Sequence, residues 1–328
     1  MKKYLTLIII GMLILTGFEP PSFMDSQALL ADDEEKADFV KWMDFDIPLA
    51  VLRQAYRYDM ASQKSGGTPL DFVQLLAYTA ARNWGNFKSG GESSAMDNAV
   101  RRVRAGETLH EIAGELKLYN FYLNAYGAVL GNFVGHFERE GTRVYGLKVF
   151  SPMAAGFGFS HSDDFGNPRS YGYSRPHLGH DMFGAIGSPI IAVEDGIVEA
   201  LGWNRYGGWR IGIRSMDNKR YYYYAHLKKN TPYAEGIKEG ANVRAGDVIG
   251  YLGNTGYSHN ENMSNIKRPH LHFGMQIIFD ESQKEGNNQI WIDTYNIVRF
   301  LNVNRMEVVN LGGGKYVRAI QTDNSPFE

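Results

Sequence analysis

The amino-acid sequence predicts an α+β protein in which an all-helical N-terminal domain precedes a mainly antiparallel β-sheet domain with an open groove. Three observations predict this class. Apolar residues recur at helical spacing up to about residue 140, and short alternating segments with Gly- and Asp-bearing turns follow. The connections between those segments are too short for parallel crossovers. With 328 residues, the chain is long enough for two hydrophobic cores.

Composition and charge exclude several classes of function. Hydrophobic residues make up 44% of the chain and charged residues 21%, as in ordinary globular proteins. The net charge of −2 gives no indication of nucleic acid or of an anionic membrane surface as the main partner. Because the chain has no cysteine, thiol catalysis and thiolate metal sites are excluded. A metal must therefore be held by His, Asp, Glu and water.

The first 31 residues are predicted to be a signal peptide or an N-terminal anchor. Two lysines precede an apolar run over residues 4–18, which is too short for a comfortable membrane span. A small-x-small cleavage pattern ends at Ala28. If the segment is cleaved, the protein is secreted, and if it is not, the segment tethers the protein at the outer face of the membrane. Either outcome places the protein outside the cytoplasm.

Residues 35–140 are predicted to form a helical domain of unknown role. One helix is expected to have Thr68 as its N-cap and Pro69 at its first position. Residues 104–113 resemble the opening of LysM glycan-binding modules, but the rest of that module does not follow. A helix that starts near Thr108 is therefore the favoured interpretation. Further helices are predicted over residues 39–60, 97–104 and 108–137.

The segment Pro269–Ile277 organises the second domain, which is predicted over residues 148–303. Its apolar side chains alternate with polar ones, which is the period of a strand with one buried face. His270, His272 and Gln276 therefore share the opposite face. Two adjacent imidazoles on a rigid strand favour a metal site, although an isolated pair also occurs on ordinary surface strands. Further elements are strands over residues 189–193, 196–203, 209–214, 220–226 and 247–252, a helix over 293–302, and an irregular tail over 304–328.

Three more polar residues are candidates for the same site. His177 and Asp181 are four residues apart, which on a straight strand is about 13 Å at ~3.3 Å per residue. Zinc ligands lie ~2.0–2.2 Å from the metal, so the backbone between these two residues must bend if they share an ion. Gly179 permits that bend. His226 ends a tyrosine-rich strand. An ordinary half-buried histidine at the end of a strand explains this residue as well as a role in the site does.

Other side chains are candidates for substrate contact. Tyr222 and Tyr224 share strand parity with His226, so both are predicted to line the groove. Asn254 follows in a Gly-Asn-Thr-Gly-Tyr-Ser motif and is a third candidate. Residues 157–176 form a long loop, and loops of that size often carry function. A solvated loop is the simpler interpretation of its acidic residues.

In chain order these motifs resemble the lysostaphin- and LytM-type zinc peptidases of peptidase family M23. The motifs are His-x-x-x-Asp, Tyr-x-His-Leu, Gly-Asn-Thr-Gly-Tyr-Ser and His-Leu-His-Phe. The resemblance covers about residues 151–278 and does not include the helical domain. It implies one Zn²⁺ per chain, with His177, Asp181 and His272 as ligands. It also implies that the two catalytic histidines are His226 and His270.

The resemblance further implies an exported zinc-dependent endopeptidase that cuts peptide bonds in peptidoglycan stems or cross-bridges. The alternative is a non-catalytic cell-wall-binding or regulatory protein on the same scaffold, and the presence of the full residue set favours the enzyme. The link over residues 258–269 is longer than the usual connection in the family. It is expected to form part of the groove wall. No nucleic-acid partner is expected.

Overall fold

The structure is a computed structural model that describes residues 43–64, 68–88, 91–170, 174–284 and 288–323 of the chain. The predicted signal or anchor over residues 1–31 lies outside the described residues. Within the described ranges, every helix is too short or too polar to span a bilayer.

Five of the six α-helices described precede the sheet domain, and the sixth lies near its end. Asp71, and not the predicted Thr68, is the N-cap of the second helix, because its side chain accepts a hydrogen bond from Gln74 N at 2.8 Å. The prediction of a helix start at Thr108 is confirmed by a capping box with Glu111. The helices are α1 (Leu49–Lys64), α2 (Phe72–Arg82), α3 (Glu92–Arg104), α4 (Leu109–Ala113), α5 (Tyr119–Leu130) and α6 (Tyr295–Leu301).

The strands are short and all the pairings between them are antiparallel, so the predicted α+β class is confirmed. The described strands are β1 (Val134–Arg139), β2 (Thr142–Leu147), β3 (Phe159–Ser160), β4 (Pro168–Arg169), β5 (Arg175–Pro176), β6 (His180–Gly184), β7 (Pro189–Ile191), β8 (Gly196–Asn204), β9 (Gly208–Ser215), β10 (Arg220–Ala225), β11 (Asn242–Val243), β12 (Val248–Tyr251), β13 (His270–Ile277), β14 (Ile290–Trp291), β15 (Val308–Gly312), β16 (Lys315–Arg318) and β17 (Thr322–Asp323).

Among the described strands, eight form the main sheet, in the order β11-β8-β9-β10-β13-β6-β3, with β14 also paired to β13. The predicted helix over 108–137 is wrong in its last part, because β1 begins there.

Strand β13 lies inside the main sheet, between β10 and β6, and its apolar face is part of the core. Leu271, Phe273, Met275 and Ile277 are all 0% exposed, as their alternation predicts. Burying this face fixes the register, since a slip by one residue would move every apolar side chain to the opposite face. The polar face of β13 is therefore held in a defined position.

The helices pack on the sheet domain through shared aromatic contacts. The ring of Phe300 on α6 stacks on Phe72 of α2 with centroids 5.6 Å apart, and Tyr56 of α1 meets Phe300 edge-on at 5.7 Å. Arg220 on β10 is 0% exposed and donates to the carbonyl oxygen of Ala128 on α5. One hydrophobic core therefore runs through both regions.

Strands occupy much of residues 308–323, so the predicted irregular tail is wrong over this described part of it. Strands β15 and β16 form a hairpin, and β17 pairs with β1, where Thr322 lies opposite Arg139. This pairing joins residues more than 180 positions apart in the chain. Periodicity within a short window carries no information about such a distant partner.

Candidate active site

Three side chains from the edge of β6 and from β13 present ligand atoms to one another. The sheet register places Asp181 directly opposite His272, and His177 lies just before β6. The Nε2 atom of His177 lies 2.8 Å from Nδ1 of His272. The Oδ1 atom of Asp181 lies 3.0 Å from His177 Nε2 and 3.1 Å from His272 Nδ1. Among the described residues, these three form the cluster that could hold a metal ion.

The triangle of atoms fits a zinc ion. Ligand atoms of a tetrahedral zinc, ~2.0–2.2 Å from the metal, lie ~3.3–3.6 Å from one another, so these three need to separate only slightly. Two imidazole nitrogens and one carboxylate oxygen are a donor set that zinc accepts. Three protein ligands leave one position for water, as in catalytic rather than structural zinc sites.

A glycine is required at position 179 because the His272 ring lies too close for any side chain there. The predicted backbone bend is therefore not the only reason for this glycine. A Cβ atom at this position would lie 2.5 Å from Nε2 of His272 and 2.9 Å from the carbonyl oxygen of Phe273. Real Cβ atoms do not approach other heavy atoms this closely. The absence of a side chain therefore lets the segment that carries His177 pass directly over the His272 ring.

Asp164 and Arg169, which precede β6, hold two of the three candidate ligands in place. Oδ2 of Asp164 lies 3.2 Å from Nδ1 of His177, on the side of the ring that faces away from the cluster. Nη2 of Arg169 lies 2.6 Å from Asp164 Oδ2 and 3.1 Å from Asp181 Oδ2. Asp181 Oδ2 is thereby occupied, which leaves its Oδ1 for the cluster. Carboxylate–histidine contacts of this kind orient metal ligands and fix their tautomers.

The electrostatics of the metal-free cluster follow from burial and ion pairing. Burial alone would lower the pKa of His177, but its hydrogen bonds to Asp164 and Asp181 outweigh that effect and raise the pKa to about 9. Burial alone would raise the pKa of Asp181, but hydrogen bonds from His177 and His272 hold it well below its usual range. Burial also lowers the pKa of His272, despite the neighbouring carboxylate. At neutral pH the His177 ring of the metal-free cluster is therefore protonated on both nitrogens and positively charged.

His226 and His270 lie beside the cluster with one ring nitrogen each committed to the backbone. Nδ1 of His226 lies 2.9 Å from the carbonyl oxygen of Thr255, and Nδ1 of His270 lies 2.8 Å from that of Arg268. A carbonyl oxygen only accepts hydrogen bonds, so both Nδ1 atoms carry the proton and both Nε2 atoms are acceptors in the neutral rings. The two ring centroids are 4.7 Å apart, and Nε2 of His270 lies 3.7 Å from Oδ1 of Asp181.

Burial keeps His226 neutral. It is 6% exposed, and desolvation, with His270 and His272 nearby, lowers its pKa well below the ordinary value. His226 has a positive φ of 63°, which ends β10 and turns the side chain out of the alternation of that strand.

An open groove of about 470 Å³ runs past the five residues of the site. Its lining includes the aromatic residues Tyr206, Tyr257 and Trp291 and the cations Arg214 and Lys284. All three polar residues predicted for the outer face of β13, namely His270, His272 and Gln276, line it. A peptide in extended conformation could follow such a groove with its backbone close to the cluster.

The prediction that Tyr222 and Tyr224 line the groove is wrong. They are 1% and 0% exposed, and Tyr222 donates its hydroxyl proton to Glu194, while the Tyr224 hydroxyl accepts from Val193 N. Strand parity fails as a guide because the positive φ at His226 breaks the alternation. The groove is instead lined by the two alternate tyrosines of β10, Tyr221 and Tyr223.

Asn254 and the long link over residues 258–269 are not among the described residues that line the groove. Asn254 donates from Nδ2 to the carbonyl oxygen of Ile266 at 3.1 Å, so it braces the link. Asn262 of the link accepts from Trp209 Nε1 at 3.0 Å and from Asn230 N at 2.8 Å. The link thus packs against Trp209 and Asn230, and none of residues 258–269 lines the groove, contrary to the expectation that it forms part of the wall.

Comparisons with known proteins agree with this fold. Residues 175–293 match the profile of Peptidase family M23. The chain is 38% identical over 159 residues to the L-Ala--D-Glu endopeptidase of Bacillus subtilis (strain 168), which covers 48% of this chain and 47% of that protein. It is 39% identical over 98 residues to lysostaphin of Staphylococcus staphylolyticus, covering 30% of this chain and 18% of that protein. The chain therefore spans less than half the length of these two relatives.

A solved structure matches over a larger part of the chain. It is the crystal structure of a Ruminococcus gnavus protein proposed to be a glycyl-glycine endopeptidase of the lytM type. The match has a TM-score of 0.53 and covers 88% of this chain and 98% of that one, at 21% identity. At this identity the match shows the fold alone. With the profile match and the antiparallel sheet that carries the site, residues 175–293 form a domain of peptidase family M23.

Proposed function

We propose that this protein is an exported zinc-dependent endopeptidase that hydrolyses peptide bonds in peptidoglycan stems or cross-bridges. The observation that carries the proposal is the convergence of His177, Asp181 and His272 on a space the size of one ion, with two further imidazoles beside it. The similarity to an L-Ala--D-Glu endopeptidase and to lysostaphin supports the substrate class. The signal-like pattern over residues 1–31 supports export to the cell wall.

In this proposal His177, Asp181 and His272 hold one zinc ion per chain. Bound zinc supplies a water whose pKa falls towards ~7 and a Lewis acid for the scissile carbonyl. Asp164 and Arg169 fix the orientation of two of the ligands, because each contacts the atoms that face away from the cluster.

His270 and His226 are the proton-transfer groups in the proposal. Because each Nδ1–H is bound to a backbone carbonyl, each neutral ring offers Nε2 as a base towards the cluster. The ring that takes the proton of the attacking water then has an Nε2–H that can donate to the developing negative charge or to the leaving amine. The groove holds the peptide backbone in place for the attack.

Digestion of purified peptidoglycan tests the proposal. The protein is incubated with cell walls, and the released fragments and their new amine termini are identified by mass spectrometry. We expect release of peptides with zinc present, loss of release after chelation, and recovery when zinc is restored. Zinc binding without any peptide release would instead support the non-catalytic wall-binding alternative.

A further inference from the structure

Two histidines that have no part in the proposed reaction lie next to the candidate metal site. Nδ1 of His161 lies 2.7 Å from Nε2 of His180, which is a hydrogen-bond distance. His180 begins β6, directly before the candidate ligand Asp181, and is 1% exposed. The ring of Tyr295 on α6 packs against both imidazoles, with centroids 5.3 and 5.4 Å away. The His180 ring is therefore held by its neighbours.

The other nitrogen of His180 is close to Asp164, which supports the candidate ligand His177. Oδ1 of Asp164 lies 3.7 Å from Nδ1 of His180, and Oδ2 of the same carboxylate lies 3.2 Å from Nδ1 of His177. The carboxylate thus has one oxygen near each ring. A rotation of this carboxylate would change its contacts with both rings at once.

Two buried polar atoms are left without a partner at this point. Neither Asp164 Oδ1 nor His180 Nδ1 has a hydrogen-bond partner among the described residues, although both atoms are buried. Buried polar atoms without a partner are uncommon. An N–H···O hydrogen bond is typically ~2.9–3.0 Å long, so an approach of about 0.7 Å would pair the two atoms with each other.

The neighbouring groups also decide where the proton of a neutral His180 lies. The carboxylate of Asp164, which is paired with Arg169 at 2.6 Å, only accepts hydrogen bonds. Nδ1 of His180 must carry the proton if the two are to bind, and Nε2 is then the acceptor for Nδ1–H of His161. From His161 to the candidate ligand His177, every donor in this chain then faces an acceptor.

We propose that His180 is a positioning residue of the metal site. Its Nδ1–H binds Oδ1 of Asp164 and thereby holds the other carboxylate oxygen against the outer nitrogen of His177. A carboxylate that is fixed at both oxygens restricts the rotation of the ligand ring and keeps the Nε2 atom of that ring directed at the metal. The proposal rests on the proposed zinc site, and His180 is not itself a ligand in it.

Two substitutions of His180 test this role, because each keeps one of the two ring nitrogens. In His180→Asn the side-chain amide nitrogen stands where Nδ1 was, so the donor to Asp164 is kept and the partner of His161 is lost. In His180→Gln the amide group stands where Nε2 was and can still bind His161, whereas the donor to Asp164 is lost. Each variant therefore loses one hydrogen bond, on opposite sides of the ring.

We expect the zinc affinity of the full-length protein to fall about tenfold in His180→Gln and to stay within about threefold of the unaltered protein in His180→Asn. Competition with a chelator at one fixed pH measures these affinities. Urea unfolding of the zinc-free variants measures their loss of stability, which should be similar in both. A role in packing alone would change the zinc affinity of the two variants equally, and that result would refute the proposal.

A measurement on the unaltered protein needs no substitution. In nitrogen NMR of the zinc-loaded protein with labelled histidines, we expect His180 to carry its proton on Nδ1. A neutral His180 ring with its proton on Nε2 would overturn the proposal.

Controls separate this proposal from the proposed function. His110→Gln removes an exposed imidazole on α4 and should leave the zinc affinity unchanged. If the unaltered protein binds zinc and digests cell walls while His180→Asn and His180→Gln have equal zinc affinities, only the positioning role fails. If the unaltered protein binds no zinc, the proposed function fails together with it.

Discussion

In the proposed zinc site, a proton and the zinc ion would compete for one atom, Nε2 of His177. In the metal-free protein, Asp164 and Asp181 outweigh the burial of the ring and raise the pKa of His177 to about 9. Zinc requires the neutral imidazole, so at any pH below about 9 its binding must displace this proton. The same two carboxylates that orient the ring also make metal binding sensitive to pH.

We therefore expect zinc affinity to rise about tenfold per pH unit between pH 7 and pH 9 and to level off above it. The sign follows from the raised pKa: lowering the pH increases the fraction of protonated His177 and weakens zinc binding. Competition titrations against a chelator of known affinity at each pH measure this. An affinity that does not change between pH 7 and pH 9 would contradict the protonated state assigned to His177.

At the scale of elements, the loop before β6 holds two of the proposed ligands, His177 and Asp181, while β6 and β13 supply Asp181 and His272. Arg169 on β4 contacts Asp164 and Asp181 at the same time, so one side chain links the loop to the sheet. A loop that contacts the atoms of two ligands on their outer side limits how far those ligands can turn.

Removing this support should weaken the metal site without removing a ligand. We expect Arg169→Gln and Asp164→Asn each to reduce zinc affinity about 10- to 100-fold, the usual size of such effects. Affinities are measured by chelator competition at pH 9, where His177 protonation contributes little. Arg244→Gln, an exposed arginine outside the groove, is the matched control. Variants with unchanged affinity would show that the loop has no part in holding the ligands.

The glycine before β6 can be tested in the same way. Gly179→Ala places a methyl group 2.5 Å from His272 Nε2, so the ring or the backbone must move. We expect a loss of about 1–3 kcal/mol in the free energy of unfolding, together with weaker zinc binding. Gly158→Ala, where nothing lies within 4 Å of the added Cβ, should be nearly neutral. Urea denaturation of both variants with and without zinc provides the comparison.

The elements also show what the sequence predicts and what it does not. The alternation in β13 is a local pattern, so the buried face and the position of His270 and His272 follow from it directly. Which tyrosines of β10 face the groove cannot be predicted from the alternation, because His226 has a positive φ and does not keep the parity of that strand. The contacts of Arg169 depend on how a long loop folds back onto β6, for which the sequence has no periodic signal.

At the scale of the molecule, a buried arginine of the sheet, Arg220, is ion-paired within the sheet domain and hydrogen-bonded to the helical region. The guanidinium group of Arg220 binds Glu194 through two hydrogen bonds of 2.7 and 2.9 Å and also reaches Ala128 on α5. Both charged side chains are buried, at 0% and 5% exposed. The shared core and this pair predict that the helices and the sheet unfold together.

Breaking the pair should destabilise the whole protein. Arg220→Leu leaves the carboxylate of Glu194 buried without its partner, which typically costs about 3–5 kcal/mol. The double variant Arg220→Leu/Glu194→Leu should recover much of that loss, because the one carboxylate that then lacks the arginine, that of Asp217, is 33% exposed and can be solvated. Urea unfolding followed by circular dichroism and by tryptophan fluorescence measures both. Separate transitions for helix and sheet signals would contradict the single core.

The direct test of the zinc peptidase account is a comparison of two histidines on one strand, His270→Ala and His272→Ala. Zinc content and release of peptides from purified cell walls are measured for both variants and for the unaltered protein. His270→Ala should keep about one zinc per chain and lose peptide release, because this ring is placed to move a proton and not to bind the metal. His272→Ala should lose both. Loss of zinc from His270→Ala, or peptide release by zinc-free His272→Ala, would contradict the account.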